Sequence, residues 1–420
     1  MEYGLIGAKL GHSYSKIIHE RLCGYDYALH PLPDEGQARR FFAQRDFRAV
    51  NVTIPYKKLA MACCDEVDPR AAAIGAVNTV VNRGGRLYGY NTDYMGFAWL
   101  CRRRGVDFRG RTVLILGTGG TRNTAAAVAK DAGAARVLTV SRRPDRARGE
   151  LSYGEAAASG AQVVVNTTPA GMYPDVGVCL LDVAAMPGLE AVVDVVYNPA
   201  RTELLLRAEE AGVPVAACGL EMLVAQAVYA AEYFLGRPFA DREGEIERGA
   251  AALRRDILNV SLVGMPSSGK STIGRALAKR LGRPFVDLDA EIVKAAGRAI
   301  PDIFAAEGED GFRARESEQA RRFGKESGLV ISGGGGVVKR AENVRALRQN
   351  GVILCIDRPL DALAVGGGRP LSSSREALRQ MEAERRPLYR QAADAVIPND
   401  GAIGQAVDAA LAALEQLFAL

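Results

Sequence analysis

Two segments of the chain each combine a short apolar strand, a glycine-rich loop and a helix. The first, RTVLILGTGGTRNTAAAVAKDAGAARVLTVSRR, covers residues 111–143, and the second, ILNVSLVGMPSSGKSTIGRALAKRLGRPFVDLD, covers residues 257–289. Units of strand, helix and strand of about 30 residues predict parallel sheets with helices on both faces. The sequence therefore predicts an α/β fold with a separate parallel sheet in each half of the chain.

Length and composition narrow the class of protein. The 420 residues suggest two to four domains at about 100–200 residues each. The net charge of +5 suits anionic small molecules and gives no argument for nucleic acid. The chain has no run of about 18 apolar residues, so no membrane span is expected. Its start, MEYGLIGAKLGHS, lacks the pattern of a signal peptide, and a cytoplasmic location is expected.

The cysteines and histidines exclude several chemistries. None of the seven cysteines forms a CxxC pair, so neither a disulfide framework nor a zinc site is expected. The three histidines, His12, His19 and His30, all lie early in the chain. We therefore expect lysine and carboxylate groups to carry any acid–base chemistry.

The second glycine loop matches the phosphate-binding pattern GxxxxGK[ST]. Gly264 opens it after the apolar run VSLV, and Gly269, Lys270 and Ser271 close it at the start of a helix. Backbone N–H groups of such a loop and the helix N-terminus bind phosphate, the lysine neutralises its charge, and the serine can ligate Mg²⁺. The predicted ATP-binding residues are Gly264, Ser267, Ser268, Gly269, Lys270, Ser271 and Thr272.

Further motifs follow this phosphate-binding loop along the chain. FVDLD carries Asp287 and Asp289 two residues apart, so that in a strand they share one face. GEDGFRARE, SGGGGVV, GGGRPL and ERRPLY come next. Together these motifs resemble shikimate kinase from Ile257 to about Leu420. A different small-molecule P-loop kinase is the alternative, and the combination of arginines with a glycine run argues against it.

The resemblance implies the following roles in a fold like that of nucleoside monophosphate kinases. Asp289 positions the attacking shikimate hydroxyl, while Asp287 and Ser271 act at Mg²⁺. Arg313 and Arg385 hold the shikimate carboxylate, which suits their planar guanidinium groups. Gly334, Gly335 and Gly336 bring backbone close to the ring, and Arg369, on a lid, meets the transferring phosphate. One departure concerns adenine: DALAVGGG lacks the arginine that the family usually places before RPL.

The first half places polar residues among short apolar runs. NVTIPYKK contains Lys57, GAVNTVV contains Asn78, and GYNTDYMG contains Asn91 and Asp93. A lysine paired with an aspartate can hold and move a proton without histidine. Taken alone, the Asn and Asp residues fit a structural role in capping turns better than a role in binding a substrate.

The first glycine loop predicts a dinucleotide site. Gly117, Gly119 and Gly120 follow the strand TVLIL, although Arg122 stands where the generic third glycine would be. An NAD enzyme would carry an acidic residue at the end of the next strand. Here Ser141-Arg142-Arg143 stands there instead, and arginine would bind the 2′-phosphate that distinguishes NADP. The alternative is that these arginines are only solvated surface groups.

With GHSYS, NTTPAGM, DVVYNP and GLEMLVAQA added, residues 1–248 resemble shikimate dehydrogenase. The resemblance implies that Lys57 and Asp93 form the catalytic pair. It implies substrate contacts from Ser13, Ser15, Thr53, Asn78, Asn91, Tyr197 and Gln226. It implies cofactor contacts from Gly117, Thr118, Gly119, Gly120, Thr121, Ser141, Arg142, Arg143, Asn166, Met172 and Gly219.

Together the two resemblances imply a bifunctional enzyme that uses NADP(H), ATP and Mg²⁺ and acts on 3-dehydroshikimate and shikimate. The expected domains are a substrate domain at 1–98 with 219–248, a Rossmann-type domain at 99–218, a linker at 249–256 and a kinase at 257–420. We expect a monomer or homodimer. The alternatives are a dehydrogenase that prefers quinate, and a chain in which one half has become a ligand-binding regulator.

The assignment of Arg142 to the 2′-phosphate generates a prediction. Arg142→Ala should weaken NADPH binding far more than NADH binding, because only NADPH carries that phosphate. The loss of one charged hydrogen bond is worth ~1.5–3 kcal/mol, or roughly 10–150-fold, and Arg143 can compensate for part of it. KM values for both cofactors check this, and an equal loss for both would assign Arg142 a structural role.

Overall fold

The computed structural model describes residues 1–11, 13–364 and 374–419. It contains three sheets in two compact units. The first unit comprises Met1–Asn198 with Thr202–Ala250, and the second comprises Pro199–Arg201 with Ala251–Leu420. The predicted α/β fold is confirmed. Across the described residues, no helix combines the length and the apolar character that crossing a bilayer needs.

The first sheet of the first unit is mixed. Its strands are β1 (Tyr3–Gly7), β2 (Tyr27–Pro31), β3 (Ala49–Val52), β4 (Glu66–Val67), β5 (Thr79–Arg83) and β6 (Arg86–Tyr90). They lie in the order β2-β1-β3-β5-β6-β4, and β5 runs antiparallel to both β3 and β6. The helices are α1 (Ser15–Cys23), α2 (Glu35–Gln44), α3 (Lys57–Cys63), α4 (Pro69–Ile74) and α5 (Thr92–Arg103).

The second sheet of this unit is parallel, as the first glycine-loop segment predicts. Its strands are β7 (Thr112–Leu116), β8 (Arg136–Val140), β9 (Val163–Asn166), β10 (Ala191–Asp194) and β11 (Val215–Cys218), in the order β11-β10-β9-β7-β8. The helices are α6 (Gly120–Asp131), α7 (Tyr153–Ala156) and α8 (Glu203–Glu210). Strands β9 and β10 are buried along their whole length, which fits a sheet covered on both faces.

Helix α9 (Leu220–Leu235) returns from the second sheet and packs along α5. The two helices approach most closely at Gly96, where a Cβ would lie 2.7 Å from the backbone oxygen of Met222 and 2.9 Å from the Gln226 Cβ. This close contact fixes Asp93, at the start of α5, relative to Gln226 on α9. Two residues predicted to serve the same site are thereby held by one helix pair.

The segment expected to contain a linker is part of a helix, α10 (Arg242–Ile257). Ile246, Ala250, Leu253 and Ile257 are all buried. Their spacing of four, three and four residues places them on one face, which is the pattern of an amphipathic helix. The sequence carried this signal, but the high charge of the segment obscured it. The division into domains around residues 249–256 stays a prediction.

The second unit contains one parallel sheet. Its strands are β12 (Asn259–Val263), β13 (Phe285–Asp287), β14 (Val330–Ser332), β15 (Gly351–Asp357) and β16 (Ala395–Pro398), in the order β13-β14-β12-β15-β16. The helices are α11 (Lys270–Leu281), α12 (Leu288–Ala296), α13 (Ile300–Gly324), α14 (Ala341–Gln349), α15 (Arg375–Ala392) and α16 (Ile403–Ala419). Gly308 interrupts α13 with a φ of 70°.

The contact at Gly96 can be tested. Gly96→Ala should destabilise the first unit by ~1–3 kcal/mol, because the added methyl overpacks the α5–α9 contact. The matched control is Gly154→Ala in α7, where a Cβ would meet nothing within 4 Å. Trp99 is the chain's one tryptophan and is buried in α5, so its fluorescence during urea unfolding reports on this unit. Equal midpoints for the two variants would contradict the prediction.

Candidate active sites

The first unit holds a cavity of about 440 Å³ that is lined by most of the residues predicted to bind the dehydrogenase substrate. These residues lie far apart in the sequence. They are on the β1–α1 loop and the start of α1, after β3 and at the start of α3, just before β5, at the start of α5, after β10 and on α9. The predicted residues that line this cavity are Ser13, Ser15, Thr53, Lys57, Asn78, Asp93, Tyr197 and Gln226. The fold therefore gathers eight of the predicted polar groups around one small volume.

Lys57 and Asp93 form an ion pair in this cavity. The Lys57 Nζ lies 2.5 Å from the Asp93 Oδ2, and the two side chains are 19% and 14% exposed. Asn78 Nδ2 donates to Asp93 Oδ1 at 2.9 Å, while Asn78 Oδ1 accepts from the backbone N–H of Thr92 at 2.7 Å. The amide of Asn78 is thus fixed at both ends, and it orients the carboxylate that holds the lysine.

Asn91 behaves differently from the prediction. It does not line the cavity; its Oδ1 accepts from the backbone N–H of Tyr94 at 3.2 Å, and its Nδ2 donates to the carbonyl of Ala76 at 2.9 Å. Asn91 is therefore the N-cap of α5. For Asn91 the structure therefore shows the capping role, which the sequence had left open as the alternative to substrate binding.

Two further polar residues line the cavity and were not predicted. Asn51 belongs to the NVTIPYKK motif; it is buried, and its Oδ1 accepts from the Tyr27 hydroxyl at 2.7 Å. Lys9 lines the cavity from the β1–α1 loop and is exposed. Asn51 lies on β3 two residues before Thr53, which directly follows that strand, so continuing the period of two from Thr53 could have identified it. The sequence contained no comparable signal for Lys9.

A second cavity in the first unit, of about 950 Å³, lies at the first glycine loop. The predicted cofactor residues that line it are Gly117, Thr118, Gly119, Gly120, Thr121, Ser141, Arg142 and Arg143. A Cβ at Gly119 or Gly120 would meet no atom within 4 Å, so open space faces the loop. Lys57 and Thr121 line both cavities, and the two cavities therefore meet at the lysine of the ion pair.

Three predicted cofactor residues lie elsewhere. Met172 and Gly219 line the smaller cavity instead. At Gly219 a Cβ would overlap the backbone oxygen of Val195, which makes glycine necessary there. Asn166 lines neither cavity; its Nδ2 donates to Asp194 and its Oδ1 accepts from Thr168. Asn166 thus shapes the turn that contains Thr167 and Thr168, both of which line the cofactor cavity.

The second unit contains a cavity of about 770 Å³ at the phosphate loop. Gly264 and Gly269 have φ values of 144° and 95°, which favour glycine. A Cβ at Gly264 would lie 2.5 Å from the Ile356 carbonyl oxygen. Lys270 Nζ donates to the carbonyls of Gly264 and Met265 at 2.9 and 2.8 Å. Of the predicted ATP-binding residues, Ser267, Gly269, Lys270, Ser271 and Thr272 line the cavity, while Gly264 and Ser268 do not.

The predicted metal residues lie together. The Ser271 hydroxyl donates to Asp287 Oδ2 at 2.7 Å and lies 3.2 Å from the Ser332 hydroxyl. One carboxylate and one hydroxyl beside a phosphate cradle fit Mg²⁺, which takes few protein ligands and completes its shell with water and phosphate. Within the described ranges, no group of three or more His, Cys, Asp or Glu side chains could hold a metal ion by itself.

The acceptor side of this cavity contains every other kinase residue predicted within the described ranges. Asp289, Arg313, Gly334, Gly335, Gly336 and Arg385 line it. Arg313 and Arg385 are 6% and 4% exposed. Arg385 donates to the Gly335 carbonyl at 3.0 Å. Arg369, the predicted lid residue, lies outside the described residues.

Glu316 completes the acceptor side and was given no role by the sequence. It is fully buried, and its Oε2 accepts from Arg313 at 2.7 Å. A Cβ at Gly334 would lie 2.7 Å from both the Glu316 Oε1 and the Asp289 Oδ1. Burial raises the pKa of the Glu316 carboxyl, while the charge of Arg313 opposes this rise. Glu316 therefore orients Arg313, next to the carboxylate that was predicted to position the acceptor hydroxyl.

An apolar wall faces these charges. Phe304 and Phe312 stack with ring centroids 4.8 Å apart, and both line the cavity. The cavity thus offers two arginines for an anion, carboxylates for hydroxyl groups and aromatic rings for the apolar face of a small ring. The sequence could not predict this wall, because ordinary core phenylalanines have the same pattern.

Comparison with known proteins matches the two halves of the chain to different families. The family model described as shikimate dehydrogenase substrate binding domain matches residues 5–80, and the one described as shikimate kinase matches residues 266–415. The shikimate dehydrogenase (NADP(+)) of Clostridium perfringens strain ATCC 13124 is 34% identical over 256 residues, which are 56% of this chain and 92% of that protein.

Solved structures resemble the first half of the chain. Shikimate dehydrogenase 1 from Peptoclostridium difficile superimposes with a TM-score of 0.54 at 31% identity, over 59% of this chain and 97% of that one. Shikimate 5-dehydrogenase from Thermus thermophilus, in complex with NADP(H) and shikimate, gives 0.52 at 32% identity, over 59% and 99%. Quinate dehydrogenase from Corynebacterium glutamicum, in complex with NAD, gives 0.51 at 28% identity, over 59% and 97%.

The matches indicate an oxidoreductase that uses NADP for the first half of the chain and a kinase that uses ATP for the second. The chain therefore belongs to the shikimate dehydrogenase family and carries a shikimate kinase domain after that enzyme, so that one polypeptide contains two enzymes of the shikimate pathway.

Proposed function

We propose that the first unit reduces 3-dehydroshikimate to shikimate with NADPH and that the second unit phosphorylates shikimate to shikimate 3-phosphate with ATP. The observation that carries the first reaction is the position of Lys57. Its ammonium group is held by Asp93 at 2.5 Å where the substrate and cofactor cavities meet. A proton donor is needed at that point, because hydride addition to a carbonyl leaves charge on its oxygen.

The first reaction uses groups that the cavity already orients. When bound, NADPH supplies the hydride. Lys57 donates a proton to the carbonyl oxygen as the carbon receives the hydride, and solvent restores the proton on Lys57. Asp93 keeps the ammonium in place, and Asn78 keeps Asp93 in place. Ser13, Ser15 and Tyr197 bind the carboxylate, which leaves Thr53 and Gln226 for the ring hydroxyls.

Cofactor choice follows from the end of β8. Arg142 and Arg143 line the cofactor cavity and stand where an acidic residue would favour NAD. The open space in front of Gly119 and Gly120 fits a pyrophosphate at the N-terminus of α6, because backbone N–H groups and the helix dipole favour an anion there.

The second reaction depends on position and charge. When bound, ATP supplies the phosphoryl group, with Mg²⁺ held beside Ser271 and Asp287. Asp289 accepts the proton of the attacking hydroxyl as the bond to phosphorus forms and ADP leaves. Lys270 neutralises phosphate charge, and Arg313 with Arg385 holds the shikimate carboxylate. Such positioning supplies most of the catalysis in phosphoryl transfer.

One coupled assay tests both reactions. With 3-dehydroshikimate, NADPH, ATP and Mg²⁺ we expect shikimate 3-phosphate, identified by mass. Lys57→Ala should lower NADPH oxidation by ~10²–10⁴-fold, the usual contribution of a general acid, and leave phosphorylation of added shikimate intact. Asp289→Asn should lower phosphorylation and leave NADPH oxidation intact, so that shikimate is the final product.

Each variant in this assay is the control for the other, because both enzymes are on one chain. Near-normal reduction by Lys57→Ala would refute its role as the proton donor. Oxidation of quinate in place of shikimate with NADP⁺ tests the alternative substrate. A faster rate with quinate would reassign the first unit.

A second prediction concerns the carboxylate site of the kinase. In Gly336→Ala the new Cβ would overlap the guanidinium group of Arg313. The displaced arginine should raise the KM for shikimate by roughly 10-fold or more, since a charged hydrogen bond is worth ~1.5–3 kcal/mol. The KM for ATP and the dehydrogenase rate of the same chain are the controls. An unchanged KM for shikimate would show that Arg313 does not hold the carboxylate.

A further inference from the structure

Asp194 is a fully buried carboxylate at the end of β10, and the reactions proposed above do not use it. Three donors surround it. The Thr202 hydroxyl donates to Oδ2 at 2.6 Å, while Asn166 Nδ2 and the backbone N–H of Val196 donate to Oδ1 at 2.9 and 3.0 Å. Among the described residues no cation pairs with it. Burial raises the pKa of Asp194 to about 7, and the three hydrogen bonds oppose that rise.

Burying a carboxylate without a cation costs free energy, because desolvation disfavours its charged form. It is therefore a poor means of stabilising a core. What it offers is a fixed acceptor for several donors at once. Two of the three donors, Asn166 and Val196, belong to different segments, and each of these segments leads to a different cavity. The geometry therefore indicates a role for Asp194 in holding these segments in place, which an apolar core residue could not perform.

The first segment is the turn of the cofactor cavity. Asn166 ends β9 in register with Asp194, and it accepts at Oδ1 from the Thr168 backbone N–H at 3.0 Å and from the Thr168 hydroxyl at 2.7 Å. Thr168 in turn abuts the glycine loop, since a Cβ at Gly117 would lie 2.7 Å from its methyl group. Asp194 thus orients the Asn166 amide, and that amide in turn holds Thr168 in the turn next to the glycine loop.

The second segment is a wall of the substrate cavity. Val196 donates to Asp194, and its neighbours Val195 and Tyr197 both line that cavity. The Val196 carbonyl accepts from the Gly219 backbone N–H at 3.1 Å. The same carboxylate oxygen that holds Asn166 therefore also holds the strand end from which Tyr197 projects.

We propose that Asp194 is a positioning residue. It fixes the turn at Thr168 and the cavity wall at Tyr197 relative to each other, so that its loss weakens the binding of both NADPH and shikimate. The inference rests on the proposed dehydrogenase function. Asp194 touches neither cavity, and it acts through Asn166 on one side and through Val196 on the other.

The hydrogen-bond inventory separates two substitutions. In Asp194→Asn the amide oxygen can keep the bonds from Asn166 and Val196, and its NH₂ can donate to the Thr202 hydroxyl, which is able to accept. In Asp194→Ala the Val196 N–H loses its acceptor, and Asn166 Nδ2 keeps only its longer bond to the Thr168 carbonyl at 3.4 Å. We expect Asp194→Ala to raise the dissociation constant for NADPH and that for shikimate by roughly tenfold each, and Asp194→Asn to change either by less than about threefold.

The matched control is Val192→Ala. Val192 lies two residues earlier on β10, on the same face of the strand, and is fully buried, but its side chain has no polar atom that could hydrogen-bond to either segment. It should lower stability by leaving a cavity while both dissociation constants stay near those of the parent. Trp99 fluorescence measures the loss of stability in each variant, and kinase turnover on the same chain measures the active fraction.

The experiment measures NADPH and shikimate binding at equilibrium for the parent, Asp194→Ala, Asp194→Asn and Val192→Ala. Weaker binding of both NADPH and shikimate in Asp194→Ala, with near-parent binding of both in Asp194→Asn, supports the proposal. Weakening of one ligand alone, an equal effect of Val192→Ala, or no recovery in Asp194→Asn overturns it. Turnover of 3-dehydroshikimate by the parent is scored separately, so a failure of the proposed function is distinguished from a failure of this inference.

Discussion

Parallel strands end at a common edge of their sheet, and both enzymes of this chain use that constraint to bring together residues that are far apart in sequence. In the second unit, Gly264 follows β12, Asp287 ends β13, and Gly333 follows Ser332 at the end of β14. Each of these residues lies in or beside the phosphate cavity. In the first unit, Asn166 and Asp194 end adjacent strands in register. In each unit, residues at the carboxyl edge of a parallel sheet therefore lie at or next to a cavity.

Close backbone approach is the second requirement of both sites. A Cβ at Gly336 would overlap the Arg313 guanidinium, and one at Gly219 would overlap the Val195 oxygen. At Gly334 a Cβ would come between two carboxylates. These glycines are required by what lies next to them, whereas Gly264 and Gly269 are required by their positive φ. The two reasons are physically distinct, although both appear in the sequence only as a glycine.

Amide side chains illustrate how far sequence reasoning reaches. Asn78, Asn91 and Asn166 all belong to motifs, and all were expected to touch a ligand. Asn78 does line the substrate cavity, but Asn91 caps a helix and Asn166 shapes a turn. An amide has donors and an acceptor that either backbone or ligand can satisfy. The composition of a motif does not show which of the two does so, because the partner lies on another element.

The sequence by itself determined the two glycine loops, the order of the motifs and the α/β class, because each of these follows from local spacing and strand period. The Lys57–Asp93 and Ser271–Asp287 pairs were implied only by the resemblance to two families, since their members lie far apart in the sequence. Tertiary structure decided the rest. It placed Lys57 where two cavities meet, buried the Arg313–Glu316 pair, stacked Phe304 on Phe312 across the break in α13 and buried one face of α10. These outcomes depend on contacts between segments distant in sequence or on which face of an element is buried, and a residue carries no mark of its future neighbour until the chain has packed.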